Sequence, residues 1–402
     1  MGFSLRTPGR TLALICLVNA CWAFSYGLEV SIASLWLRDH GLSDTLIGLN
    51  AAMYYVGMLL AAGMVPWLMK RSARACAGAG LIVSGLTVSL FPWGGGVGGW
   101  FLLRSLTGVA GALSLIPMET LVNQNSPDSR RGREFGCYAL AIALGIALGA
   151  RVGLQLYPML GGPTFAVGGI VSACAGVIAW LGLRWPNVPE TLGGSLPLDW
   201  RRHVFSFGTS WSQGFLEGSL TAFLPLYLLS LKYSEGDVGD LIAGTMLGVI
   251  LFQIPAGWLA DHVSPSRVLI TGFLLVAAGL GTLPLCSSPL ALAPLLFGVG
   301  ACIGAFYPLG LARIGNGMEK AALPQANAWY LAINCVGSLT GPAVAGIASD
   351  FWGKTALFST GLAAIACVFA AWLAERRYSS QFASAGLPRN DAGLGPEDCR
   401  AA

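Results

Sequence analysis

The chain has 402 residues, of which 55% are apolar and only 10% charged, with a formal net charge of +4. A soluble domain of this size carries about 25% charged residues, so this composition excludes an ordinary soluble fold and points to a membrane protein. The 55 glycines suit closely packed membrane helices. Twelve apolar stretches, each long enough to span a bilayer as a helix, follow in order at about 12–37, 45–69, 75–93, 97–123, 134–157, 162–184, 205–231, 236–260, 267–286, 290–314, 324–349 and 353–376. The first of these is too long, and wrongly flanked, for a cleaved signal peptide.

That first span is unusually polar. Asn19, Ser25, Tyr26, Glu29, Ser31 and Ser34 suit a helix that lines a cavity rather than one that faces lipid. The second span ends in Pro66-Trp67-Leu68-Met69-Lys70-Arg71. Span three has no charged residue and reads as peripheral, as do six, nine and twelve. Span four holds Arg104 and Glu119. Span five carries Arg151 among Gly145, Gly149 and Gly153, whose four-residue spacing puts the glycines close to one helix face where another backbone can approach. Arg313 and Asp350, at span ends, read as interfacial. The ten cysteines show no CxxC pair and no Cys/His cluster, which argues against metal and disulfide chemistry.

The second half repeats the first. Gly48, Gly57 and Trp67 recur 191 residues later as Gly239, Gly248 and Trp258; Tyr138, Gly145 and Gly149 recur 192 residues later as Tyr330, Gly337 and Gly341. Leu28-Glu29-Val30-Ser31 has its own echo in Leu216-Glu217-Gly218-Ser219, at a spacing of 188, which suggests equivalent carboxylates in two halves. The expected fold is therefore an all-α membrane protein: twelve transmembrane helices in two six-helix bundles (residues 1–184 and 205–376) related by pseudo-two-fold symmetry. A cytoplasmic linker covers 185–204 and a disordered cytoplasmic tail 377–402. Lys and Arg concentrate in one set of alternate loops, among them Arg10, Arg71, Arg74, Arg131, Arg133, Arg201, Arg202 and Arg377, with only Arg38, Lys232 and Lys354 opposite. Both termini are then expected in the cytoplasm, and the basic charge gives no case for nucleic acid.

The loop after span eight, Gly257-Trp258-Leu259-Ala260-Asp261-His262-Val263-Ser264-Pro265-Ser266-Arg267, resembles the G-x-L-A-D-R-x-G-R-R signature of the major facilitator superfamily. His262 stands where Arg is usual and Ser264 where Gly is usual. The resemblance implies a conformational latch through Gly257, Asp261 and Arg267; in the first half Lys70 takes the acidic place. Arg104-Ser-Leu-Thr-Gly108 resembles the superfamily's span-four element associated with proton coupling, and Gly337-Ser-Leu-Thr-Gly341-Pro342 its antiporter element, displaced here to span eleven. Met118-Glu119 followed by Arg131-Gly132-Arg133 is similar to uncharacterised bacterial facilitators related to drug and sugar efflux permeases.

Buried charges carry the functional expectation. If the spans run as assigned, Glu29, Arg104 and Arg151 share one depth and form either a proton-responsive cluster or a fixed ion pair that orients helices. Glu217 has no basic partner in its own half and is the first candidate for a coupling proton. Tyr26, Glu119, Gln253, Tyr307, Tyr330 and Asn334 are candidate cavity contacts, Glu119 also being a candidate partner of Arg131 or Arg133. The expected activity is alternating-access transport, with no enzymatic step and no cofactor: proton-coupled efflux of an amphipathic or weakly cationic small molecule by a monomer in the bacterial inner membrane. Proton symport or organic-anion uptake on Arg104 and Arg151, and a non-transporting receptor or assembly protein, are the alternatives. No nucleotide-binding G-x-x-x-x-G-K-[ST] segment is present.

Overall fold

The computed structural model describes residues 8–125, 131–183, 200–315 and 323–384. The first half contains α1 (Pro8–Asp39), α2 (Asp44–Ala62), α3 (Val65–Leu90), α4 (Val97–Asn125), α5 (Arg131–Leu160) and α6 (Thr164–Gly182). The second contains α7 (Val204–Ser230), α8 (Glu235–His262), α9 (Pro265–Thr282), α10 (Pro289–Gly315), α11 (Leu323–Trp352) and α12 (Ala356–Ser384). By length and composition, ten of these helices are long and apolar enough to cross a membrane among the described residues. Most of the expected 185–204 linker lies outside the described residues, but Trp200–His203 forms a 3-10 turn leading into α7. The expected tail is helical at its start, since α12 runs on to Ser384; residues 385–402 are not described.

The internal repeat extends to caps and contacts. Ser43 and Ser234, 191 residues apart, cap α2 and α8, accepting from the backbone N–H of Leu46 and Asp237. Ser72 and Ser264 do the same for Ala75 and Arg267. Each such cap is worth about 1 kcal/mol. At Ser72 the backbone is extended (φ −165°, ψ 100°) and α3 bends, so the residues before it continue from α2 and those after it start a new direction.

Helix pairs repeat in the same way. α1 packs on α5, α2 on α4 and α3 on α6; correspondingly α7 packs on α11, α8 on α10 and α9 on α12. Glycines set the closest approaches. A β-carbon at Gly145 or Gly149 would overlap the carbonyl oxygens of Ala20 or Phe24, and one at Gly337 or Gly341 those of Trp211 or Phe215. Gly57 and Gly108 interlock α2 with α4 against Ser105 and Tyr54, as Gly248 and Gly300 interlock α8 with α10 against Phe297 and Thr245. In each comparison the spacing is 191 or 192 residues. This register overturns one expectation. The counterpart of Gly27, packed on Ile146, is Gly218, packed on Ser338, so Glu217 matches Tyr26 and Glu29 matches Leu220. Glu29 and Glu217 are not equivalent positions; they differ by three residues, most of a helical turn.

The halves touch along α2 with α11, α5 with α8, and α1 with α7. The first two contacts lie at the ends remote from the chain termini, here the far face. Gly48 meets Pro342, and Gly346 meets the Asp44 carbonyl. Asp350, at the end of α11, receives the backbone N–H groups of Asp44 and Thr45 on its two carboxylate oxygens, each at 2.8 Å. Its carboxylate thus sits on the positive N-terminus of α2 in the other half. Lys354 pairs with the Asp44 carboxylate, and Arg151 of α5 pairs with Asp240 of α8. At the opposite, terminus-bearing face Trp67 and Trp258 are exposed, and the Cβ positions of Gly63 and Gly257 meet nothing within 4 Å. Among the described residues, the contacts that join the halves concentrate at the far face.

Arg313 sits in the last turn of α10. It donates to Ser266 (2.9 Å) and Ser206 (2.8 Å) and pairs with Glu375, which in turn accepts the Phe205 N–H at 2.9 Å. Four helices, α7, α9, α10 and α12, are joined by this one buried charge network.

Candidate functional site

The site begins with the only way α1 can bury Glu29, which has no exposed surface at all. A carboxylate in that environment needs a counter-charge. Arg104 on α4 supplies it: Nη1 lies 2.6 Å from Glu29 Oε1, and the arginine is itself 3% exposed. The approach is close but oblique. Beyond that contact, Glu29 Oε2 and Arg104 Nε have no aligned hydrogen-bond partner among the described residues. The guanidinium also sits 5.5 Å from the centroid of the Tyr54 ring, which packs against Tyr26 at 5.2 Å. Arg151 does not join this pair. Its side chain is half-exposed at the far face, with Asp240, because a shared depth does not give a shared azimuth around the helix.

Glu217 lies in the middle of α7 yet is exposed, so it faces the space between the halves. Its carboxylate accepts from the side-chain amide of Gln213, one turn earlier on the same face. Asn334 of α11 orients that amide, donating to Gln213 Oε1 at 2.5 Å and to the Ser210 carbonyl at 2.9 Å. The relay Asn334–Gln213–Glu217 fixes the carboxylate from behind and leaves its front open. Across the gap stand Tyr26 and Tyr55, within electrostatic reach of Glu217 and 3.3 Å apart at their hydroxyls. Tyr26 packs on Tyr54, the ring beside the Arg104 guanidinium, while its hydroxyl meets that of Tyr55.

Glu119 is a second accessible carboxylate, nearer the near-face end of α4, with Tyr138 and Tyr307 in electrostatic reach. The side chains of Arg131 and Arg133, its expected partners, lie outside the described residues, as do those of Gln253 and Asp261. Tyr330 is a correction: it is wholly buried, its hydroxyl donates to the Tyr307 carbonyl at 3.0 Å, and it braces the site from outside the cavity. Tyr307, partly buried and edge-on to it at 5.0 Å, keeps a cavity position. Among the described residues, nothing lies within 4 Å of the Cβ position of Gly257. Arg267 is exposed in the first turn of α9.

Sequence reasoning missed Gln213, Tyr55 and Asn50. Gln213 was findable as the residue four before Glu217, on the same helix face. Among the described residues there is no cluster of His, Cys, Asp or Glu able to hold a metal.

Two consecutive stretches, residues 15–207 and 206–396, match the family model for the Major Facilitator Superfamily. The chain belongs to this superfamily. It is 28% identical over 351 residues to the Uncharacterized MFS-type transporter YfkF of Bacillus subtilis, covering 83% of this chain and 87% of that protein. Against the Uncharacterized MFS-type transporter YcaD of Salmonella dublin it is 27% identical over 340 residues, covering 82% and 86%. Among solved structures it resembles a bacterial homolog of the human lysosomal transporter Spinster in an inward-facing, occupied conformation (TM-score 0.74, 14% identity, 96% and 98% covered). It also resembles the nucleoside transporter NupG (TM-score 0.77, 12% identity, 90% and 99% covered). At these identities the structures share the fold. This superfamily member is a multi-pass membrane transporter of small molecules.

Proposed function

We propose that this facilitator exports an amphipathic or weakly cationic compound in exchange for protons, by alternating access between two six-helix bundles. The bundles comprise residues 1–184 and 205–376, joined by the 185–204 linker, in a monomer whose twelve helices all span the inner membrane and whose termini are cytoplasmic. The observation that carries the reading is Glu217: an accessible carboxylate oriented by Gln213 and Asn334 and within electrostatic reach of two tyrosines. One carboxylate can hold a proton or a substrate cation, and binding of either lowers the affinity for the other; that competition is what antiport requires. The phenol faces of Tyr26 and Tyr55 add cation–π attraction, and Glu119 provides a second acid on the route from the near face.

Organic-anion uptake is the weaker reading, because Arg104 is engaged by Glu29 and Arg151 by Asp240. Closure at the far face corresponds to the state open to the cytoplasm. Reconstituted vesicles carrying a pH-sensitive dye test the proposal. An outward substrate gradient should drive protons the opposite way in wild type, and Glu217→Gln should abolish the proton movement while the folded protein persists. Proton and substrate moving together, or normal exchange by Glu217→Gln, would refute it.

A further inference from the structure

At the near face, the corner where α2 gives way to α3 carries a patch that lies outside the central cavity. Gly63 and Met64 keep helical backbone angles there, so the outer side of α2 runs on into α3. Leu60, Met64 and Trp67, spaced four and three residues apart, are each more than half exposed and form one apolar stripe. On a membrane-spanning bundle such a stripe meets lipid, and a tryptophan at its end belongs at headgroup level. The stripe ends in three cations, Lys70, Arg71 and Arg74, all exposed. The Arg71 guanidinium lies over the Trp67 ring, 4.0 Å from its centroid. Arg74 reaches the Leu183 carbonyl, just past the end of α6, at 3.5 Å. Residues 63–90 contain no aspartate or glutamate. Among the described residues none of the three cations forms an ion pair.

We propose that this corner binds the phosphate headgroup of an anionic membrane phospholipid, with the three cations on the phosphate and the apolar stripe against the acyl chains. The internal repeat supplies the contrast. In the second half the same corner is built around Trp258, also exposed, with the His262 ring stacked on it at 4.3 Å as Arg71 covers Trp67. Counted from the paired tryptophans, Asp261 stands there in place of Lys70. Counted from the capping serines Ser72 and Ser264, Ser266 stands in place of Arg74, and it is turned inward onto Arg313 at 2.9 Å. The two corners share a frame and differ in charge, so the first-half corner is the one that attracts an anion. A phosphate accepts from lysine and arginine alike, and the arginine fork matches two of its oxygens. Free phosphate shares that chemistry but gains nothing from the apolar stripe, so the occupant is a lipid. Two other arginines of the near face also sit over tryptophans, Arg201 on Trp200 at 5.8 Å and Arg376 on Trp372 at 4.3 Å, and they give the test its comparison. The inference holds whichever compound is carried.

The test compares thermal unfolding of purified full-length protein in a nonionic detergent with phosphatidylglycerol, phosphatidylcholine or inorganic phosphate added. Phosphatidylglycerol should raise the wild-type midpoint at least about 2 °C above phosphatidylcholine, and inorganic phosphate should not match that rise. Carrying the second-half residues into the first, as Lys70→Asp with Arg71→His and Arg74→Ser, should erase the difference between the lipids. Removing three other near-face arginines, as Arg201→Gln with Arg376→Gln and Arg377→Gln, should leave more than half of it. All six altered side chains are exposed, and the wild-type comparison stands even if a variant fails to fold. Equal wild-type midpoints in the two lipids would overturn the proposal. An equal rise with inorganic phosphate would do so too, by marking a soluble-anion site. So would a lipid difference that survives the first triple variant, or one that the second erases as fully as the first.

Discussion

Removing the Asp350 carboxylate should release the far face. Asp350→Ala deletes two hydrogen bonds to the α2 N-terminus, those from Asp44 and Thr45 N–H at 2.8 Å. Bonds to a charged group are worth about 1.5–3 kcal/mol each. Thr45 is near solvent, and water replaces part of what is lost, so about 1 kcal/mol per bond is the appropriate scale here. The total of about 2 kcal/mol shifts the balance between far-face-closed and far-face-open molecules roughly 30-fold toward open. Lys354 and Arg151 remain to hold the closed form, so the change is a shift in populations rather than a collapse. Spin labels at Gly98→Cys and Ser287→Cys, in a background without native cysteines, report the far-face separation by pulsed electron resonance. The expected result is a new long-distance population in Asp350→Ala, with the wild-type background dominated by the short one. An unchanged distance distribution would refute the assignment of Asp350 as a clamp between halves.

Three further outcomes follow from the packing and the buried charges. Gly149→Ala should lower the thermal midpoint by several degrees, because the new methyl overlaps the Phe24 carbonyl, whereas Gly257→Ala, in open space, should leave it within a degree; calorimetry compares them. Glu375→Gln should destabilise by about 3 kcal/mol through stranding the Arg313 charge, and adding Arg313→Met should recover part of that loss, as read by denaturation in detergent. Tyr330→Phe should reduce stability by about 1 kcal/mol through loss of the bond to the Tyr307 carbonyl, and substrate affinity by less than twofold in equilibrium binding.

Close helix contacts were the most legible part of this fold. Where two backbones meet, only glycine fits, so a contact repeated in both halves leaves glycines at a fixed offset; Gly145/Gly337 and Gly149/Gly341 gave the register at 192. The Glu29–Glu217 resemblance, at 188, rested on a shared Leu-Glu-x-Ser string that no backbone contact enforces, and the glycines already contradicted it. Burial demanded a partner for Glu29, and Arg104 could be named because few charges share its depth. Depth alone misplaced Arg151, whose azimuth turns it to Asp240. The partners of Asp350 and Arg313 were unreadable because they come from distant parts of the chain: backbone N–H groups of another helix end for one, and two serines with Glu375 for the other. Tyr330 reads as a cavity residue by chemistry, and only packing reveals that it is sealed behind Tyr307.

The alternating exposure of position 217 is the core of the account, and it can be measured directly. A Glu217→Cys variant, free of native cysteines, is reconstituted in one known orientation and exposed to a membrane-impermeant thiol reagent on one side at a time. The account predicts labelling from the cytoplasmic side in the resting protein and from the opposite side as well once Asp350→Ala is added. Labelling from a single side in both proteins, or from neither, would contradict it.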